Sequence, residues 1–269
     1  MQFSHFDCIG FPITDEDSLI EMIELVSTKA KKLENAKYED FEYALYRSPK
    51  GIRMYFITVG NELYSLNPHF KGKTSNPISI ISIDVNEAGD GLAFGWLQPD
   101  ESLTNGLAQI KFSCPDYFKH IRSRSPRLLN IQLSAFVEEF TIFDTEEEFY
   151  EKTRVESNGK NLNFSKNYFI PIGLFEEDDP QPIAKFAGTI EEIEIITNPL
   201  TEVDFYSLRV KSIVDFDVVL PMLPDLDLSV GKIIEGIFWM SGIVIWNIMA
   251  KILVRDEHLK FHIFSPFVF

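Results

Sequence analysis

Little in this sequence belongs to the usual equipment of a secreted protein or a metalloenzyme. Of 269 residues, two are cysteine and five are histidine. A pair of cysteines, Cys8 and Cys114, makes no disulfide framework and fits a reducing, cytoplasmic compartment. The first residues lack a basic stretch followed by an apolar run, so no secretory signal is read. An uninterrupted apolar run of spanning length is also missing. The nearest approach, Ile233 to Val254, is broken by Glu235, Asn247 and Lys251 and punctuated by Gly236 and Gly242. Its Ile, Val, Phe and Trp predict two buried strands instead of a membrane helix.

Positive charge is scarce as well. Lysine and arginine number 25 against 41 acids, a net of −16. Residues 1–130 hold 14 basic and 17 acidic side chains, net −3, and residues 131–269 hold 11 and 24, net −13. Such a surface repels phosphate backbones and anionic lipid, which argues against nucleic-acid and membrane-surface binding. It suits a basic partner, or solubility alone.

What is present can fill a core: 45% of residues are hydrophobic, with 24 phenylalanines. Phe3 to Ile13 reads as a strand. Thr14, three residues before Asp17, caps a helix whose stripe is Leu19, Met22, Ile23, Val26, Ala30 and Leu33, closed by Lys29, Lys31 and Lys32. Turns at Ser48–Gly51 and Gly60–Asn61 then separate three strands. "NPISIISIDV" and "GDGLAFGWLQP" add two more, and Asp144 and Thr145 cap a short helix from Glu146 to Lys152. After an acidic linker, "GLFEEDDPQP", five short strands with glycine corners predict an OB-like barrel. The expectation is an α+β protein: a mixed antiparallel-sheet domain over residues 1–175 and an OB-like β-barrel domain over 183–269, ending in an apolar tail.

Reactive motifs fail one after another. Gly89-x-Gly91 lacks the third glycine of a dinucleotide loop, since Phe94 holds that slot. Ser157-x-x-Lys160 lies in a polar loop instead of opening a helix. Lys119, His120, Arg122, Arg124 and Arg127 form the one basic cluster visible along the chain; it could grip a phosphate or a carboxylate ligand, and the preferred reading is a solvated loop that offsets the acidic half. His258 and His262 stand four apart, as ligands on a helix would, but neither HExxH order nor a third ligand accompanies them. His5 and Cys8 are the other metal candidates; a lone Cys among apolar neighbours reads as a small buried hydrophobe. Neither a metal nor a cofactor is expected.

Two resemblances bear on the architecture. The βαβββ order of the first 70 residues resembles the module of the glyoxalase and bleomycin-resistance superfamily, in which "DHVG" carries a metal-ligating His. Asp7-Cys8-Ile9-Gly10 stands in that place here, with Cys in the ligand slot. "LNPHFKGK", "FIPIGLF", "TNPLTEVDFYSLRV", "FDVVLP" and "GKIIEGIFWMSG" resemble a series found in a family of uncharacterised bacterial proteins. Departures fall at Glu202 and Leu220, where that family has Gly and Ala. The resemblance implies a bacterial origin and an architecture, with no activity attached.

In residues 183–244, ten acids face four bases, so an acidic face is expected on the barrel, with Glu191, Glu192, Glu194, Asp215, Asp217, Asp225 and Asp227 as its binding residues. The function expected is a non-catalytic module that docks a basic protein partner, as an immunity protein masks a basic toxin. Two alternatives stand beside it. One is an enzyme on the glyoxalase-like scaffold using His5, Asp7 or Cys8, and the other is a self-assembling module joined through Phe264, Phe267 and Phe269.

Overall fold

The acidic run after Thr14 does open a helix. In the computed structural model, which describes residues 3–120, 125–157, 160–176 and 180–245, α1 spans Glu16–Ser27. Its cap is Asp15, not Thr14: the Asp15 carboxylate accepts from Ser18 N at 2.8 Å while the Ser18 hydroxyl accepts from Asp15 N. Met22 and Val26 are buried. The helix ends six residues short of the expected Leu33, where the Ser27 and Thr28 hydroxyls turn back onto the Glu24 and Leu25 carbonyls. Lys31–Tyr38 is instead strand β1, because pairing with β2 (Phe41–Arg47) overrides the helical preference of its Lys, Leu, Glu and Ala residues.

The expected first strand is absent too. Asp7–Ile9 forms a single 3-10 turn, and the Asp7 carboxylate accepts from Ser4 N at 2.8 Å and Ile13 N at 2.9 Å. Those backbone donors close a loop and are unavailable to a ladder. The βαβββ order is therefore corrected: α1 precedes four strands. β1, β2, β3 (Ile52–Val59) and β4 (Glu62–Phe70) make an antiparallel meander with the turns where they were expected.

The rest is mostly β: β5 (Asn76–Val85), β6 (Gly91–Pro99), β7 (Gly106–Ser113) and β8 (Arg127–Phe143), then α2 (Glu146–Lys152), capped by Thr145. Short strands β9 (Val155–Ser157), β10 (Lys160–Leu162) and β11 (Tyr168–Ile170) lead to β12 (Ile183–Thr197), β13 (Asp204–Lys211), β14 (Asp215–Pro221) and β15 (Ile233–Val244). Nine of these strands form one sheet that closes on itself twice. In one ring β12, β13 and β14 meander, β14 runs parallel to β8, β8 pairs with β15, and β15 returns to β12. In the other, β5, β6 and β7 meander, β7 meets β15 in parallel through Ser113 and Ser241, and β8 returns to β5.

Both rings thus share β8 and β15, and the expected boundary near residue 180 does not divide the molecule. The ring of the C-terminal half takes its fifth strand from residues 127–143. Residues 233–244 form one strand, not two. Gly236 and Gly242 make no turn there; a Cβ at Gly236 would lie 2.3 Å from the Glu139 carbonyl, so glycine lets β8 and β15 approach closely. Among the described residues, no helix is long and apolar enough to cross a membrane.

Candidate functional site

The loop from β4 to β5, Phe70 to Asn76, drives polar groups into the seam where the rings meet. His69, at the end of β4, is wholly buried between Ser241 of β15 (Nδ1 to Oγ, 2.9 Å) and Gln132 of β8 (Nε2 to Oε1, 2.8 Å). The Gln132 amide nitrogen donates to Asp217 Oδ2 at 2.8 Å and to the Phe70 carbonyl at 3.2 Å. Both are acceptors, which fixes the amide orientation. Oε1 must then accept from His69, so Nε2 carries the proton and Nδ1 accepts from the Ser241 hydroxyl. Burial holds the imidazole neutral, its pKa lowered from 6.5 to about 3.

Asp217 of β14 ends this chain of hydrogen bonds. Its carboxylate accepts from Lys73 N and Thr74 N, each at 3.0 Å, and from the Thr74 hydroxyl at 2.6 Å. Gly72 permits this approach, since a Cβ there would stand 2.0 Å from the carboxyl carbon. Ser–His–Gln–Asp resembles the relay of a hydrolase. Yet Ser241 and His69 are 0% exposed and Gln132 1%, so no substrate reaches the hydroxyl. The network joins β4, β8, β14 and β15 and satisfies their polar groups.

Three of the stretches quoted from the sequence meet in this seam. "LNPHFKGK" supplies His69 and Gly72, "FDVVLP" supplies Asp217, and "GKIIEGIFWMSG" supplies Ser241. In "TNPLTEV", Asn198 donates to the Ile9 carbonyl at 2.9 Å and Thr201 to that of Gly10 at 2.5 Å, clamping the N-terminal turn.

Outside Gly72 lies a cleft of about 610 Å³, between the β2–β3 turn, the β4–β5 loop and the faces of β12 and β13. Arg47, Lys50, Arg53, Lys71, Lys73 and Arg209 line it, and its acids are Glu192, Glu194 and Asp217. Arg47, Lys50 and Arg53 are near neighbours in sequence, but nothing along the chain shows that Lys71, Lys73 and Arg209 join them. Of the basic run that does show, Lys119 pairs with Asp116 at 3.2 Å and His120 is buried, while Arg122 and Arg124 lie outside the described residues.

Most of the expected acidic face is already engaged. Glu191 and Glu192 meet Arg209 at 3.1 and 3.0 Å, Glu192 and Glu194 meet Lys73 at 3.2 and 3.6 Å, and Asp227 meets Lys232 at 2.6 Å. Asp217 is 3% exposed and is corrected from surface residue to buried anchor. Asp215 is half-buried on β14 and Asp225 exposed, both without a salt bridge among the described residues.

The metal candidates also have ordinary partners. The Cys8 thiol is buried and donates to the Val137 carbonyl at 3.4 Å; burial, with Asp7 beside it, pushes its pKa well up. His5 stacks on Trp239 at 4.4 Å between centroids, with Nε2 3.5 Å from Glu138. No group of three or more His, Cys, Asp or Glu among the described residues is arranged to hold a metal ion. His258, His262 and the apolar tail lie outside the described residues. No protein family, curated protein or solved structure matches the chain.

Proposed function

We propose that this protein is a non-catalytic binding module that docks a basic protein partner in the cytoplasm, in the manner of an immunity protein. The ring of β12, β13, β14, β8 and β15 has the five strands and single parallel closure of an OB-like barrel, and we read it as one. Burial of both thiols and of the Ser241–His69 pair supports a role in binding over one in catalysis.

One observation carries the docking surface, and it lies on α1. Glu16, Asp17, Ile20, Glu21 and Glu24 share an arc of roughly 140°, opposite the buried Met22 and Val26. All four carboxylates are exposed without a salt bridge among the described residues, and Ile20 at 46% and the neighbouring Leu25 at 38% are the helix's exposed apolar contacts. An apolar centre within unpaired charge is the anatomy of an electrostatically steered interface. The β12–β13 acids, held by Arg209 and Lys73, contribute less.

The test is capture of basic proteins by the tagged chain at low and high salt, beside an E16Q/E21Q/E24Q variant. Salt-sensitive capture that the variant loses, with its circular dichroism unchanged, is the expected result. Capture that survives the three substitutions refutes the α1 surface.

A further inference from the structure

We infer that the cleft beside Gly72 is an anion site, built for a compact ligand carrying two linked phosphate groups. This goes beyond partner docking: it concerns another face and a ligand of opposite charge. Six cations and three carboxylates line the cleft, yet the carboxylates are occupied. Glu192 and Glu194 are held by Lys73 and Arg209, and Asp217 by Lys73 N, Thr74 and Gln132. Arg47, Lys50, Arg53 and Lys71 face the same concavity and make no ion pair among the described residues. In a chain of net charge −16, four unopposed cations in one hollow are a local reversal of sign.

A second observation concerns the register of two of these cations. Arg47 and Arg53 are directly opposed across the β2–β3 ladder. Like charges at such a position repel and destabilise the pair. Among the described residues neither guanidinium has an ion-pair partner, and an anion bridging the two turns the repulsion into attraction. Planar guanidiniums take phosphate in bidentate fashion, and Lys50 and Lys71 add point charges beside them.

The walls are fixed in advance. Lys71 N donates to the Gly51 carbonyl at 2.8 Å, tying the β4–β5 loop to the β2–β3 turn, and Lys50 N donates to the Ser48 hydroxyl at 3.0 Å. Gly51 at φ +92° cannot be replaced without strain, and its Cβ would meet the Lys71 carbonyl at 2.8 Å. Gly72 is pinned by Asp217 on the other side. The volume, about 610 Å³, admits a small phosphorylated molecule. Four cations match the charge of a diphosphate better than that of a single phosphate.

Calorimetric titration of the full chain with inorganic pyrophosphate, and separately with citrate, tests this. Saturable pyrophosphate binding is expected, at least tenfold tighter than citrate, weakened at least tenfold in R47Q/R53Q and at least threefold in K50Q/K71Q. R47Q/R53Q is expected to melt no lower than the native chain, since it removes a repulsion. Should it melt lower, K50Q/K71Q, which alters two exposed side chains, decides the matter. Citrate binding as tightly as pyrophosphate, absence of saturable heat, or affinity unchanged in the deciding variant overturns the assignment.

Discussion

The two rings follow one plan with different residues. Each is a three-strand meander followed by a long strand that returns to the meander's first strand. Each also borrows the other's long strand to close: β14 lies parallel to β8, and β7 parallel to β15. Both meanders enter on Pro-Ile, Pro77–Ile78 and Pro182–Ile183. Ser134 and Ser241 face each other across the central β8–β15 ladder, and each takes a parallel partner from the opposite meander. Those partners are Asp217 for Ser134 and Ser113 for Ser241. Two equivalent joints therefore carry an acid in one ring and a hydroxyl in the other. The acid is what Gly72, Thr74, Gln132 and, through Gln132, His69 gather around. The cleft opens beside that joint.

The largest expected effect breaks this asymmetry. Asp217→Ala leaves Lys73 N, Thr74 N and the Gln132 amide short of a buried acceptor, and should cost about 3–4 kcal/mol in urea unfolding. Ser113→Ala, at the matching joint, should cost no more than about 1 kcal/mol. Equal costs would show that the polar seam contributes nothing beyond strand pairing.

Next comes pH. His69 is neutral in the fold with a pKa of about 3, against 6.5 when free. Between these values the unfolded chain binds a proton that the native chain does not. Its contribution is therefore fully present above pH 6.5 and lost as pH falls toward 3, by up to about 1.4 kcal/mol per pH unit. In His69→Gln that part of the slope should vanish between pH 4 and 6.5, although the variant starts from lower stability. A parallel pH profile for the two proteins would mean that His69 is hydrated in the native state.

A smaller difference separates the cores. Phe186 of the β12 ring stacks on Phe238 at 4.0 Å and on Phe216 at 4.5 Å, whereas Phe112 of the β5 ring makes no ring contact among the described residues. Aromatic pairs add about 0.5–1.5 kcal/mol beyond burial. Phe186→Leu should accordingly cost about 1–2 kcal/mol more than Phe112→Leu, measured by the same unfolding transition.

What was legible in the sequence follows from the range of the forces involved. The turns at Ser48–Gly51 and Gly60–Asn61, the Thr145 cap and the strands beginning at Asn76 and Gly91 are set by neighbouring residues, and these were readable. α1's true end was not, because its Lys31–Tyr38 continuation is decided by β2. Neither was the role of β8, whose residues read equally well as belonging to a first domain. The seam was hidden by distance: His69 and Ser241 are 172 positions apart, and a lone His carries no spacing signal. The glycines of "GIFWMSG" read as corners, and the close approach that Gly72 and Gly236 permit shows only in the fold. The cleft was hidden likewise, since Arg47, Lys71 and Arg209 come from three elements, while the contiguous basic run near Lys119 is partly spent on Asp116.

The finest comparison lies in the first turn of each meander. In the β5–β6 turn, the Asn86 carbonyl accepts from Gly89 N at 3.0 Å, and its side chain accepts from Ala88 N and Asp90 N. In the β12–β13 turn, the Asn198 carbonyl accepts from Glu202 N at 2.9 Å, and its side chain accepts from Leu200 N. Gly89 sits at φ +81° and Glu202 at φ +58°. One ring uses glycine for the left-handed position and the other strains a glutamate into it. Glu202→Gly should therefore stabilise the fold by about 0.5–1 kcal/mol, the strain relieved being partly offset by the greater freedom of glycine in the unfolded chain. The reverse exchange is closed: at Gly89 a Cβ would meet Phe41 and Ile57 at 2.9 Å, so Gly89→Ala should lose more than Glu202→Gly gains. A rise in melting temperature for Glu202→Gly and a larger fall for Gly89→Ala is the expected pair. If Glu202→Gly instead destabilises, the glutamate side chain makes a contribution that the left-handed backbone does not explain.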